Sequence, residues 1–245
     1  MKSIYLSAAI GALALGGVGL TVNAQRSPDV RPPVGNRAPP EPARLTVVEL
    51  FQSQGCSSCP PAAANVNAIA GQPNVLALSY GVTYWDQLGW KDSFASPQFT
   101  ERQWEYARSR GRARVWTPQV YVNGQRDLVG SNRAQLNQTI AASSIKGPSV
   151  SVSGGKVHIG AGRAARRATI WMVRYDPRTV NVPIRAGENG GRTLPHRNIV
   201  RQLTRLGQWT GAATSFSLPV PRDGFRTAIL VQDGKGGAII GAVKA

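Results

Sequence analysis

Cysteine is scarce. Cys56 and Cys59 are the only two in 245 residues, so any internal cross-link joins them across two residues. That is the loop with least stabilising leverage on an entropic account, because a staple gains most by joining distant segments. Histidine is equally rare, with only His158 and His196. C-x-x-C is half of a zinc site, but these histidines lack the close pair spacing that would complete one. No metal and no cofactor are expected. No Gly-x-Ser-x-Gly marks a serine hydrolase and no glycine-rich loop qualifies as a phosphate cradle; Glu188-Asn189-Gly190-Gly191 reads as a turn. There is no internal repeat and no nucleic-acid motif. After residue 24 no run is long and apolar enough to span a bilayer. Acidic residues are few, 12 against 29 Lys and Arg, which leaves a formal charge of +17.

The chain opens with a short positive start, Met1-Lys2-Ser3. An apolar, small-residue run follows from Ile4 to Leu20, then a small-x-small site at Val22-Asn23-Ala24. This pattern predicts a signal peptide over 1–24, cut near Ala24, and a secreted or periplasmic product. A retained membrane anchor is the alternative. Cleavage removes Lys2, the only charge in 1–24, and so lowers +17 by one to +16. Such a field favours weak attraction to anionic membrane surfaces, with no specific nucleic acid expected. Residues 25–43, rich in Pro and Arg, read as an extended linker.

From residue 44 the pattern predicts βαβαββα. Leu45–Phe51 reads as a buried strand, and residues 62–70 as a helix stopped by Gly71. Between them lies Gly55-Cys56-Ser57-Ser58-Cys59-Pro60-Pro61. A C-x-x-C at a strand-to-helix junction is a thioredoxin-like redox signature. The spacing lets the sulfurs bridge, and a helix N-terminus can stabilise a thiolate. Val75–Tyr80 reads as a second strand. A loop carrying Tyr84, Trp85, Asp86 and Trp90 supplies candidate substrate contacts. Ser96-Pro97 opens a helix to about Ser109, and Asn123-Gly124 joins two strands as a tight hairpin. Ser131 opens a last helix. These elements predict an α/β thioredoxin-like domain over 44–147.

After Gly147-Pro148 the texture becomes all-β. Strands are expected at 149–152, 156–159, 169–175, 199–206, 227–231 and 238–240, forming a small antiparallel domain over 148–245, a sandwich being one form. Within the first domain, Thr117-Pro118 before the third strand predicts a cis bond facing the cysteines, where Thr117 meets a substrate. Glu49 in the first strand has two readings: a buried proton shuttle for the inner thiol, or a residue on a solvated strand face. Cys56 is expected to attack and Cys59 to resolve.

The segments VVELFQSQGCSSCPPA (47–62), Tyr84-Trp85-Asp86 with Leu88-Gly89-Trp90-Lys91-Asp92 and Phe94-Ala95-Ser96-Pro97, and TPQVYVNG (117–124) followed by Val129-Gly130-Ser131 resemble the secreted bacterial family known as domain of unknown function 1223. Residues 188–196 resemble its C-terminal half. The resemblance implies a thioredoxin-like fold without an established activity. It also implies His and Asp where this chain has Gly81 and Thr83. Two functions are open: an exported thiol-disulfide oxidoreductase using protein or small-molecule thiols and an unknown redox partner, or a binding protein with a structural Cys56–Cys59 bridge and a partner surface around Trp85 and Trp90.

Overall fold

The computed structural model describes residues 45–220 and 223–245. The expected export segment 1–24 and linker 25–43 lie outside the described residues, in which no helix is long and apolar enough to cross a membrane. The described residues belong to one compact unit. Its centre is an eight-stranded mixed sheet flanked by a three-stranded and a two-stranded antiparallel sheet.

Strand β1 (Thr46–Gln52) leads into helix α1 (Cys59–Ile69) and parallel strand β2 (Val75–Gly81). Helix α2 (Pro97–Arg108) starts on Ser96, whose side chain accepts from the Gln98 amide. Strands β3 (Gln119–Val122) and β4 (Arg126–Leu128) form the expected hairpin. Asn123 and Gly124 both take positive φ, 48° and 58°, as such a two-residue turn demands. Helix α3 (Arg133–Ala141) is capped by Asn132, one residue beyond the expected Ser131.

Strands β5 (Val150–Ser153) and β6 (Lys156–Ile159) pair as a hairpin. Strand β7 (Ala168–Asp176) is followed by β8 (Val180–Pro183), β9 (Thr193–His196) and β10 (Ile199–Trp209). Strands β11 (Thr214–Ser217), β12 (Arg226–Asp233) and β13 (Ile239–Lys244) complete the chain. The large sheet runs β13-β12-β7-β10-β2-β1-β3-β4. The expected boundary at 147/148 is therefore no break in the sheet. Strand β10 lies beside β2, fastened by Ser79 N–H to the Asn198 carbonyl (3.0 Å) and by Asn198 Nδ2 to the Ala77 carbonyl (2.8 Å).

Alternation along β1 sorts its side chains between two layers. Val48 and Leu50 pack with Ala62, Val66 and Leu136 under α1 and α3. Val47 and Phe51 face the other way, into a cluster with Tyr80, Phe99 and Tyr106 that continues into Val173, Val200 and Leu230. The strands after 148 thus share this core with the βα segment. Their opposite face, through Ile170, Met172, Ile229 and Val231, is covered by β5, β6 and β11.

Candidate functional site

The site forms where β1 ends. Residues 53–58 turn the chain, with Cys56 N–H donating to the Ser53 carbonyl and Cys59 N–H to the Cys56 carbonyl, both 3.2 Å. Cys56 and Cys59 form a disulfide with Cα atoms 5.4 Å apart. Cys59 is the first residue of α1, three before the expected 62. The hydroxyl of Ser58 lies 3.3 Å from Cys56 Sγ.

Cys56 is fully buried and Cys59 is 2% exposed. The expected attack by Cys56 would need access to a substrate, which this burial does not give it. What buries the turn is the insertion between β7 and β10. Asn189, fully buried, donates through Nδ2 to the carbonyls of Gln54 and Cys56, both at 2.9 Å. Its Oδ1 accepts from Arg192 Nη1 (2.7 Å). Glu188 Oε2 accepts the Ser57 amide (3.0 Å), and hydrogen bonds from Ser57 hold the exposed Glu188 carboxyl below its usual range.

The aromatic loop buttresses the turn from another side. Trp90 Nε1 donates to Gln54 Oε1 (2.9 Å) and Trp85 Nε1 to Thr117 Oγ1 (2.7 Å). A Cβ added to Gly55 would touch both Trp85 Cβ and the Trp90 carbonyl. Trp85 therefore stands between the cysteine turn and Thr117, whose bond to Pro118 is cis. Tyr84 donates to Gln103 Oε1 (3.2 Å), and burial pushes its phenol up to about 12. Asp86 accepts the Asp92 amide (3.1 Å). All four aromatic-loop residues proposed for substrate contact are partly buried, with polar atoms held by neighbours.

Asp92 was not singled out by its sequence pattern, yet it anchors both segments. Its carboxylate accepts the amides of Gln54 (2.8 Å) and Phe94 (2.7 Å), and burial pushes its pKa up to about 6. Gly81 packs against the same segment. A Cβ there would lie 2.8 Å from Ala95 N, so any larger residue would require this backbone to shift.

Glu49 is buried, but neither of its two readings matches its place. It points with Val47 and Phe51 away from α1. Its Oε1 accepts from Arg102 Nε (2.7 Å) and its Oε2 from Tyr106 Oη (2.5 Å). Arg102 also reaches Gln232 Oε1 on β12 (3.2 Å) and is 2% exposed. The cysteines are not among its partners. The parity of β1 decides this: Glu49 shares a face with Val47 and Phe51, whereas Val48 and Leu50 are the positions that meet α1.

Beside Cys59 a cavity of about 210 Å³ opens between α1 and β9. Its walls include Cys59, Ala63, Leu194, Arg192 and His196. His196 is 3% exposed. Its Nδ1 lies 3.2 Å from Gln52 Nε2, and its Nε2 has no hydrogen-bond partner among the described residues. Burial lowers its pKa to about 4. His158, by contrast, sits on β6 beside Ser215 Oγ (2.9 Å). A larger cleft of about 400 Å³, bordered by Arg167, Arg205 and Lys235, includes none of the expected site residues.

The architecture and this turn define a mixed α/β protein with a disulfide at a strand-to-helix junction, closed over by a β-hairpin insertion. The chain belongs to the family described as protein of unknown function (DUF1223), whose profile matches residues 47–232. It is similar to protein AGR_C_4864 from Agrobacterium tumefaciens, known as a crystal structure: 32% identity, 83% of this chain and 95% of that one covered, TM-score 0.70. It shares a fold with HBP35 of Porphyromonas gingivalis at 11% identity, with 83% of this chain and 75% of that one covered and a TM-score of 0.54. No curated protein matches the chain.

Proposed function

We propose that this protein is an exported thiol-disulfide oxidoreductase whose working pair is Cys56 and Cys59, held in a thioredoxin-like arrangement. The observation that carries the reading is the disulfide itself: it closes at the start of α1, beside a cavity bordered by Cys59. A two-residue bridge gives little conformational leverage, so stabilisation alone is a poor reason for it.

The test is a redox titration of the full chain in thiol buffers, with alkylation and mass readout. A working pair equilibrates between about −120 and −270 mV, the span of known dithiol catalysts, whereas a structural bridge lies below about −300 mV. A value in the lower range refutes the proposal. The second reading, a binding protein with a structural bridge, would then stand. The burial of both cysteines and the internally bonded Trp85 and Trp90 side chains favour that second reading. Export is tested by N-terminal sequencing of the mature chain, which should begin near Gln25.

A further inference from the structure

The surroundings of the two sulfurs differ. Cys56 is fully buried, and its turn is clasped by Asn189 and Glu188. It does not border the cavity; Cys59 does. The rest of the wall is apolar at Pro60, Ala63, Ala64, Leu194 and Pro195 and polar at Gln52, Ser53, Thr193, Arg192 and His196, and two of these polar residues bear on a ligand. One is His196. The Gln52 amide donates to Nδ1, which leaves the ring proton on Nε2, a buried donor with no partner. Native structures rarely leave such a group unpaired, and each instance calls for an explanation. The other is Arg192, exposed, with one nitrogen on Asn189 and its other donors free of any bond seen among the described residues.

Volume limits the occupant. At about 210 Å³ the cavity falls below the about 300–1,000 Å³ of ordinary ligand pockets. That suits one half of a small disulfide, not a loop of a folded protein. On the redox reading above, we infer that this cavity binds a small thiol or disulfide bearing a hydrogen-bond acceptor such as a carboxylate, and that exchange takes place at Cys59.

In the reduced protein, the Cys59 thiolate attacks one sulfur of the small disulfide RSSR. The Cys59–S–S–R bond forms and RS⁻ leaves. Cys56, as thiolate beside the Ser58 hydroxyl, then attacks Cys59 Sγ, closes the Cys56–Cys59 bond and releases a second RS⁻. The protein loses two electrons and RSSR gains them; the two thiol protons pass to solvent or to the released thiolates. With an oxidised protein and excess RSH the same steps run backwards. Attack needs open space at the sulfur being joined, and of the two cysteines only Cys59 has a cavity beside it.

The probes are 3,3′-dithiodipropionate, with two carboxylates, and the neutral 2-hydroxyethyl disulfide, each reacted with the reduced full chain. The dithiodipropionate is expected to react at least about tenfold faster, the scale of one charge-assisted hydrogen bond. Arg192→Gln should remove that preference. Arg163→Gln makes the same charge change away from the cavity and should keep it. In single-cysteine chains, Cys56→Ser should capture one probe half as a mass adduct on Cys59, while Cys59→Ser captures it far more slowly. Faster capture by Cys59→Ser, equal loss of preference in both arginine variants, or no preference at all overturns the inference. If the pair still titrates in the catalyst range and reduces a protein disulfide such as insulin, only the inference has failed. If the potential lies below about −300 mV, the redox reading has failed too.

Discussion

Replacing Asn189 by alanine should uncover Cys56 without unfolding the protein. Asn189 makes three hydrogen bonds from a fully buried position: two donated to the Gln54 and Cys56 carbonyls and one accepted from Arg192. The Cys56 carbonyl would keep the Cys59 amide as a partner, whereas the Gln54 carbonyl has no other bond seen among the described residues. Each lost bond costs about 0.5–1.5 kcal/mol net, and an orphaned buried acceptor about 1–3 kcal/mol. A local cost of about 2–4 kcal/mol follows. At about tenfold per 1.4 kcal/mol, even the lower figure multiplies the open population of the 53–58 turn by about 30. The assay is alkylation of the lone Cys56 thiol in a Cys59→Ser chain, with and without Asn189→Ala, at several reagent concentrations under native conditions. The expected result is labelling faster by about 30-fold or more. In both chains the opening free energy measured at Cys56 should lie below the global unfolding free energy measured in urea. An unchanged labelling rate would show that Asn189 does not hold the turn closed. An opening free energy at Cys56 equal to the global unfolding free energy in both chains would show that the turn opens only when the whole molecule does.

Glu49→Leu alone should destabilise the protein by about 3–5 kcal/mol, because it leaves the Arg102 guanidinium buried without its counter-charge. The double change Glu49→Leu with Arg102→Met should recover most of that in urea denaturation, and the double variant should titrate at the redox potential of the unmodified chain. A potential displaced in proportion to loss of the carboxyl would return Glu49 to the chemistry of the cysteines. Two buried groups set opposing pH dependences. His196 is held near 4, below its ordinary 6.5, so the unfolded chain takes up its proton first. Stability from this group is lost as pH falls from 6.5 through about 4, by about 3 kcal/mol in all. Asp92 is raised from 3.8 to about 6, so its contribution is present below 3.8 and lost as pH rises through 6, again by about 3 kcal/mol. The two trends offset each other between pH 4 and 6. In urea denaturation across that range, Asp92→Asn should lose stability on acidification and His196→Leu should gain it. Parallel slopes in the two variants would refute the assignment.

What could be read from the sequence was local. The β1–α1 junction, the Ser96 cap and the Asn123-Gly124 turn each depend on residues within a few positions, and each lies where its pattern put it. The change of texture at 147–148 was also real, since no helix follows it among the described residues. The strand Thr169–Tyr175 nevertheless carried a signal against an independent small domain: it is apolar at nearly every position rather than at alternate ones. Such a run is covered on both faces and lies inside a sheet, as β7 does between β12 and β10.

The cover over the cysteines had no comparable signal. Strands β8 and β9 are four residues each, half exposed, contain prolines and pair only with each other. Asn189 lies 133 residues from the Cys56 carbonyl it binds, and hydrophobic periodicity has no bearing on a contact between a side-chain amide and a distant turn. Glycines in Glu188-Asn189-Gly190-Gly191 announce a turn but not what the turn is pressed against. The same holds for His196: its neighbours Thr193 and Pro195 are exposed while Leu194 and His196 point inward, an alternation too short to separate from chance in a loop. The site is therefore built across the supposed domain boundary. The sulfurs come from the βα segment, whereas Asn189, Arg192, Leu194 and His196 come from beyond residue 148. A chain ending at 147 would leave β2 as an unpaired edge, open the core cluster shared with Val173 and Val200, and remove both the clasp on Cys56 and one wall of the cavity beside Cys59. The surroundings of the cysteine pair thus come from both sides of residue 148, and the half without a cysteine supplies the clasp on Cys56.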